Sequence, residues 1–141
     1  MILEGLTFDD VLLCPKYSEI RSRREIDISN NLGSLLKLEL PIISSCMDTV
    51  TEENMAIQMS LEGGLGIIHR YCSIVRQVEM VRICNEHPAG TIDVGAAIGV
   101  TGDFKERALA LVSAGARILC LDVAHRRSYS CERSVGIFTH T

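Results

Sequence analysis

Features that would direct this 141-residue chain to a membrane, a secretory route or nucleic acid are missing from it. No apolar run approaches the roughly 20 residues that span a bilayer. Residues 1–15 lack the basic n-region and long apolar core of a secretory signal. Positive charge is not in excess. The net charge is -4, whereas a phosphate backbone or an acidic membrane calls for a positive face. The clusters "RSRRE" and "HRRS" are short and read as solvated surface. The six cysteines, at 14, 46, 72, 84, 120 and 131, include no CxxC pair, which argues against a zinc site. They sit among apolar neighbours, as buried reduced thiols do, so a cytoplasmic protein is expected. With 47% hydrophobic and 23% charged residues, the chain has the make-up of a globular protein with room for one cored domain.

Up to residue 40 the sequence holds short extended-looking pieces, "DVLLCP", "EIDIS" and "LKLEL", between polar turns. From Pro41 the pattern turns regular. "PIISS" reads as a fully apolar strand, and "TEENMAIQMSLEGG" as a helix with Met55, Met59 and Leu61 facing inward and glycines closing it. "LGIIH" is the next strand, followed by the helix "SIVRQVEMVRICNEH", with Ile74, Val78, Val81 and Ile83 near helical spacing. "VGAAIG" is a third strand, "DFKERALALVSAG" a third helix capped by Asp103 and Gly115, and "ILCLDV" a fourth strand. Unbroken apolar strands, as opposed to alternating ones, imply a parallel sheet with both faces covered. Strand–helix alternation fits a doubly wound sheet or a (β/α)8 barrel. A full barrel takes about 250 residues, so four strands would be half of one.

In either architecture a ligand sits at the carboxyl ends of the parallel strands. Those ends read Ser44, Ser45, Cys46, Met47 and Asp48; then His69 and Arg70; then Gly99; then Asp122 and His125. Polar groups at the tips of apolar strands point to a small-molecule site. Each also has a plain structural use. Asp48 suits capping the next helix or bracing a turn, and His69 with Arg70 suits a return of the chain to water. Asp122 suits either bonding loop amides or accepting paired ribose hydroxyls. Cys46 has no evident base or cation beside it to make it a nucleophile. The "GGLG" run lacks the features of a phosphate loop and reads as a tight turn into the second strand.

Taken in order, "LTFDDVLLCPKYSEIRSRREIDIS", "PIISSCMDTVTEENMA", "GGLGIIHR", "VGAAIG" and "LDVAH" resemble the amino-terminal half of the IMP dehydrogenase / GMP reductase family. The resemblance implies an α/β fold, a (β/α)8 TIM barrel of which the first four βα units are present after a short extended N-terminal segment. It implies binding of a purine nucleotide, IMP or GMP, and of a nicotinamide dinucleotide, with potassium held by a later loop and a homotetramer as the assembly. By the same resemblance Ser45 and Met47 contact the purine nucleotide, and Asp122 touches the nicotinamide-side ribose. Ser22 and Arg23 match a pair that reaches the cofactor of a neighbouring subunit in the reductases.

Two activities share this pattern. In the dehydrogenase a cysteine attacks C2 of IMP, hydride passes to NAD, and water releases XMP. In the reductase the same thiolate chemistry removes ammonia from GMP while NADPH supplies hydride. "SSCMDTVTE" and Arg70, where reductases carry lysine, resemble the dehydrogenase; "LDVA" leans toward the reductase. The chain departs from the family in several places. The regulatory CBS modules of the dehydrogenases are absent, and Cys46 replaces the usual proline or asparagine. After His125 the sequence diverges, Arg126 standing where the family has glycine. The expected division is therefore residues 1–125 as half-barrel and 126–141 as a divergent tail. The nucleophile, potassium, phosphate and flap segments of the family are not matched. The expectation is a chain inactive by itself, or a non-catalytic module that pairs with itself or with full-length subunits.

Overall fold

The computed structural model describes residues 5–34 and 36–124 of the chain. A hairpin comes first, β1 (Asn30–Leu32) antiparallel to β2 (Leu36–Leu38). Then follow β3 (Ile43–Ser44), α1 (Glu53–Leu61), β4 (Leu65–Ile68), α2 (Ile74–Asn85), β5 (Val94–Ile98), α3 (Phe104–Ser113) and β6 (Ile118–Leu121). The four later strands form one parallel sheet in the order β3-β4-β5-β6. His125 and the tail 126–141, including Arg126 and Cys131, lie outside the described residues. No helix among the described residues is long and apolar enough to cross a membrane.

The period-two geometry of the strands sorts their side chains into two sets. Ile68, Val94, Ala96, Ile98, Leu119 and Leu121 face the helices and pack with Ala56, Met80, Val81, Cys84, Ala108 and Leu111. Leu65, Ile67, Ala97, Ile118 and Cys120 face the other way, toward Leu32, Leu36 and Leu38 of the hairpin. All three helices thus cover one face of a sheet whose order never reverses. A doubly wound sheet places helices on both faces, so these residues do not form one. Each fully buried Leu, Ile, Val or Met of this core stabilises by about 1.5–3 kcal/mol over exposure.

The expected strands and helices are present, but several inward assignments are corrected. In α1 only Ala56 is buried, while Met55 is 41% and Leu61 49% exposed. The reason is close approach: a Cβ on Gly66 would clash with Ala56, lying 2.7 Å from its Cβ. The helix seats on Ala56, with Met55 and Leu61 turned outward and Ile57 packed at the edge of the core. In α2 the buried stripe is Gln77, Met80, Val81 and Cys84, and Ile83 is exposed. "PIISS" pairs over two residues only, with Ile43 exposed. "DVLLCP" and "EIDIS" form no strand; residues 5–28 are exposed throughout, including Cys14. Asp103 stands at the N-cap of α3 but bonds no amide with its side chain. Gly63 (φ 83°) and Gly115 (φ 99°) close α1 and α3 as expected, because glycine alone enters this region without penalty.

A polar knot crosses the apolar core. Gln77 Nε2 donates to the carbonyls of Ala97 (2.9 Å) and Ile68 (3.4 Å). Its Oε1 accepts from Arg107 Nη1 at 2.7 Å. Arg107 also donates to Cys72 O (3.0 Å) and to Asp103 Oδ2 (2.7 Å). Between α1 and α2, Arg76 Nη2 reaches both carboxylate oxygens of Glu53 at 3.0 Å.

Three outcomes are expected in urea unfolding. Gly66→Ala destabilises by about 1–3 kcal/mol through overpacking, whereas Gly5→Ala, with open space around it, is neutral. Arg107→Met strands the buried Gln77 oxygen and costs about 1–3 kcal/mol. The third concerns pH. The hydrogen bond from Arg107 holds the Asp103 carboxyl below its ordinary value. A lowered folded-state pKa stabilises fully above the unfolded carboxylate value, and that stabilisation is lost as pH falls through the folded value. The stability gap between wild type and Asp103→Asn therefore shrinks on acidification through and below the usual carboxylate range.

Candidate functional site

The carboxyl ends of the four parallel strands gather the polar residues that the apolar strands exclude. At the tip of β3 the chain makes a compact turn. The amide of Met47 donates to Ser45 O (2.9 Å), and those of Val50 and Thr51 donate to Met47 O (3.0 Å each). The buried hydroxyl of Thr51 donates to Ser45 O at 2.6 Å and exchanges a second bond with the Ser44 hydroxyl at 2.8 Å. This fastening leaves Ser45 and Met47 exposed, Met47 by 50%. Asp48 is also exposed and does not cap α1, whose N-cap position is Glu52.

At the tip of β4, His69 and Arg70 do not return to water together. His69 is buried at 3% exposure. Its Nδ1 accepts from the Tyr71 amide (3.1 Å), which leaves the proton on Nε2, 3.4 Å from Glu52 Oε1. The histidine thereby aims the next two residues. Arg70 Nε donates to Asp122 Oδ2 at 3.0 Å, and Nη2 donates to Asp122 O at 3.3 Å. The Tyr71 hydroxyl donates to the same Oδ2 at 3.3 Å, and the guanidinium carbon lies 5.0 Å from the Tyr71 ring centre. Asp122 follows β6, its amide bonded to Ile98 O at 3.0 Å.

Around this group opens a cleft of about 520 Å³, lined by Arg70, Tyr71, Gly99, Thr101 and Asp122 among others. A side chain on Gly99 would point at the Arg70 guanidinium, 3.6 Å away. Asp122 Oδ1 accepts no hydrogen bond among the described residues. An ionised carboxylate with one engaged and one open oxygen can take a hydroxyl donor from a ligand. The expected paired acceptance of two hydroxyls is thus half pre-empted by Arg70 and Tyr71.

The thiols nearby are not activated. Burial, and then the Asp122 charge, push Cys46 above the ordinary thiol value despite Arg70. Burial, Cys46 and Asp122 push up Cys120, and burial pushes Cys84 up to about 11. A nucleophilic cysteine requires the opposite shift.

Of the residues singled out in the sequence, Asp122, Arg70 and Gly99 come together in one cleft, while Ser45 and Met47 lie on the turn after β3 and do not line it. Ser22 and Arg23 do not join them. They lie at an exposed 3-10 turn, where the Ser22 hydroxyl accepts from the Arg24 amide at 3.3 Å, and neither bonds a rim residue. Tyr71, Thr51 and Glu52 were missed. An aromatic directly after the tip pair "HR" was the available signal for Tyr71; nothing local marked the other two.

A family model described as the IMP dehydrogenase / GMP reductase domain matches residues 5–139. Inosine-5'-monophosphate dehydrogenase of Aquifex aeolicus is 50% identical over 91 residues, 64% of this chain and 18% of that protein. The Bacillus subtilis enzyme of the same name is 53% identical over 89 residues, 63% and 18% of the two chains. GMP reductase of Leishmania donovani is 52% identical over 79 residues, 56% and 16%. The matched stretch is thus under a fifth of each relative's length. With that match spread over nearly the whole sequence, the chain belongs to the IMP dehydrogenase / GMP reductase family.

Proposed function

We propose that residues 41–124 are the opening units of a (β/α)8 barrel whose rim takes a purine nucleotide and a nicotinamide dinucleotide. The reaction served is of the IMP dehydrogenase type, oxidation of IMP to XMP with NAD. The observation that carries this reading is Asp122, held in the rim cleft beside Arg70 and Gly99 with Oδ1 accepting no bond among the described residues. The unreversed strand order and the single helix-covered face support the barrel.

In this reading Asp122 accepts a hydroxyl of the nicotinamide-side ribose. Arg70 and Tyr71 fix its orientation, and Gly99 keeps the floor of the cleft open. Ser45 and Met47, exposed on the β3 turn, contact the purine nucleotide. Ser22 and Arg23 serve the cofactor of a neighbouring subunit, in a tetramer or in a pairing with full-length subunits, since they stand apart from their own rim. Potassium is assigned to no described residue, and a cytoplasmic setting suits the free thiols. When bound, the dinucleotide supplies the hydride acceptor; these residues bind and orient. The thiolate that attacks the purine is not assigned to Cys46, Cys72, Cys84 or Cys120, which burial pushes above the ordinary thiol value. The 141-residue chain is therefore a binding unit without turnover of its own.

The reductase direction, GMP to IMP with NADPH, is the second reading. It is favoured by "LDVA" and by the 52% identity to a protein named GMP reductase.

In calorimetric titrations the chain is expected to bind NAD, and Asp122→Asn to weaken binding by about 10- to 100-fold, the worth of a hydrogen bond to a charged group. Met47→Ala should weaken IMP and leave NAD unchanged. Tighter NADPH and GMP would select the second reading, and no binding of any of the four would overturn both. With IMP and NAD together, no reduced nicotinamide should accumulate; clear turnover by the purified chain would refute the binding-unit assignment.

A further inference from the structure

We propose that His69 is a positioning residue that couples the rim cleft to pH: a proton on Nδ1 releases Tyr71 and Arg70, and the cleft loses its dinucleotide. This rests on the nucleotide-binding reading above and adds a regulation to that site.

The geometry singles out one ring nitrogen. His69 is 3% exposed at the tip of β4. Its Nδ1 accepts from the Tyr71 amide at 3.1 Å, and that amide has no other acceptor among the described residues. Nε2 lies 3.4 Å from Glu52 Oε1 and carries its proton in both charge states of the ring. A proton taken from water therefore changes one contact only. On Nδ1 it sets two N–H donors against each other where a donor met an acceptor, and burial keeps water from relieving the clash. The backbone gives way, and the Tyr71 amide turns from the ring.

That turn reaches the carboxylate directly. The released N–H belongs to the peptide joining Arg70 to Tyr71, so its rotation displaces both side chains. Arg70 Nε holds Asp122 Oδ2 at 3.0 Å and the Tyr71 hydroxyl holds the same oxygen at 3.3 Å. With both withdrawn, Asp122 is no longer oriented in the cleft that these three residues line.

The charged groups around the ring are few. Half-exposed Glu52, at the N-cap of α1, faces Nε2. Arg76 of α2 lies 3.9 Å from the other oxygen of Glu52 and pairs with Glu53 and Glu79 at 3.0 and 3.5 Å. On the rim stand Arg70 and Asp122. Carboxylates as a class titrate below, and arginine far above, the histidine range of about pH 5–8. The cleft is thus set above that range and released below it. Because the bound form needs a neutral ring, affinity falls toward about tenfold per pH unit below the transition, the limit for one linked proton.

Nuclear magnetic resonance on the full nitrogen-15-labelled chain tests the switch first without nucleotide, from about pH 8 to about pH 5. Expected is a proton on Nε2 alone at the start, with Nδ1 gaining one on acidification. The Tyr71 amide and Arg70 Nε–H resonances should shift with the same midpoint. His87, whose Nδ1 accepts from the Ala89 amide at 3.3 Å, is the internal control; its titration should leave Arg70 Nε–H unmoved. Calorimetric titration with NAD over the same range should show the affinity loss. In His69→Asn, whose side-chain oxygen accepts the amide without titrating, the profile should flatten. If that variant fails to fold, the wild-type resonances decide alone. A proton on Nδ1 at about pH 8, a ring still neutral at about pH 5, a Tyr71 amide unmoved while the ring titrates, or an unchanged affinity profile in His69→Asn would overturn the proposal. Absence of NAD binding at every pH would count against the proposed function instead, and the nucleotide-free resonances would still decide the switch.

Discussion

The buried side chain of Gln77 is the interaction on which the rim depends. One amide group holds the carbonyls of Ile68 and Ala97, the last turns of β4 and β5 before the chain leaves the sheet. Its oxygen is satisfied in turn by Arg107, which anchors α3 and the Cys72 carbonyl. Unpaired, each of these groups would cost about as much as the whole net gain of a hydrogen bond or more. Satisfied together, they fix two strand ends and two helices at one height. The positions of His69, Arg70 and Gly99 follow from that.

Above this level the rim is organised by one ion pair. Arg70 and Tyr71 engage a single oxygen of Asp122, so the carboxylate is oriented without being used up. Both partners are part-buried, which strengthens the pair relative to one in open water. His69 contributes from beneath: with its ring fully sheltered and bonded at both nitrogens, it sets the direction in which Arg70 and Tyr71 emerge. Burial first, and negative charge after it, push the Cys46 and Cys120 thiols above their ordinary value. An orienting carboxylate and quiet thiols describe a surface that binds more readily than it reacts.

Much of this was legible in the chain. The apolar runs LGII and VGAAI mark two strands within a residue or two, because a strand buried on both faces tolerates little else, and ILCL marks a third that is half-buried. Helix ends were marked by Gly63 and Gly115, whose positive φ few other residues accept. The inward faces were harder. Met55, Leu61 and Ile83 are hydrophobic yet exposed, since Gly66 against Ala56 and the Gln77 knot decided which side of each helix met the sheet. Asp103 looked like a cap and serves as the partner of Arg107 instead. "EIDIS" has the residues of a strand but pairs with no strand among the described residues, and pairing is a non-local property.

By itself the sequence determined the parallel α/β order, the strand tips as the place for polar groups, and the family. These rest on local periodicity and on motifs readable residue by residue. Only the tertiary structure decided that Arg70, Tyr71 and Asp122 meet, and that among the described residues one oxygen of that carboxylate accepts no bond. Those contacts join residues 51 and 52 positions apart in the chain. Parallel strand pairing and a buried amide bring them within bonding distance, and neither leaves a mark in the sequence near the residues it unites.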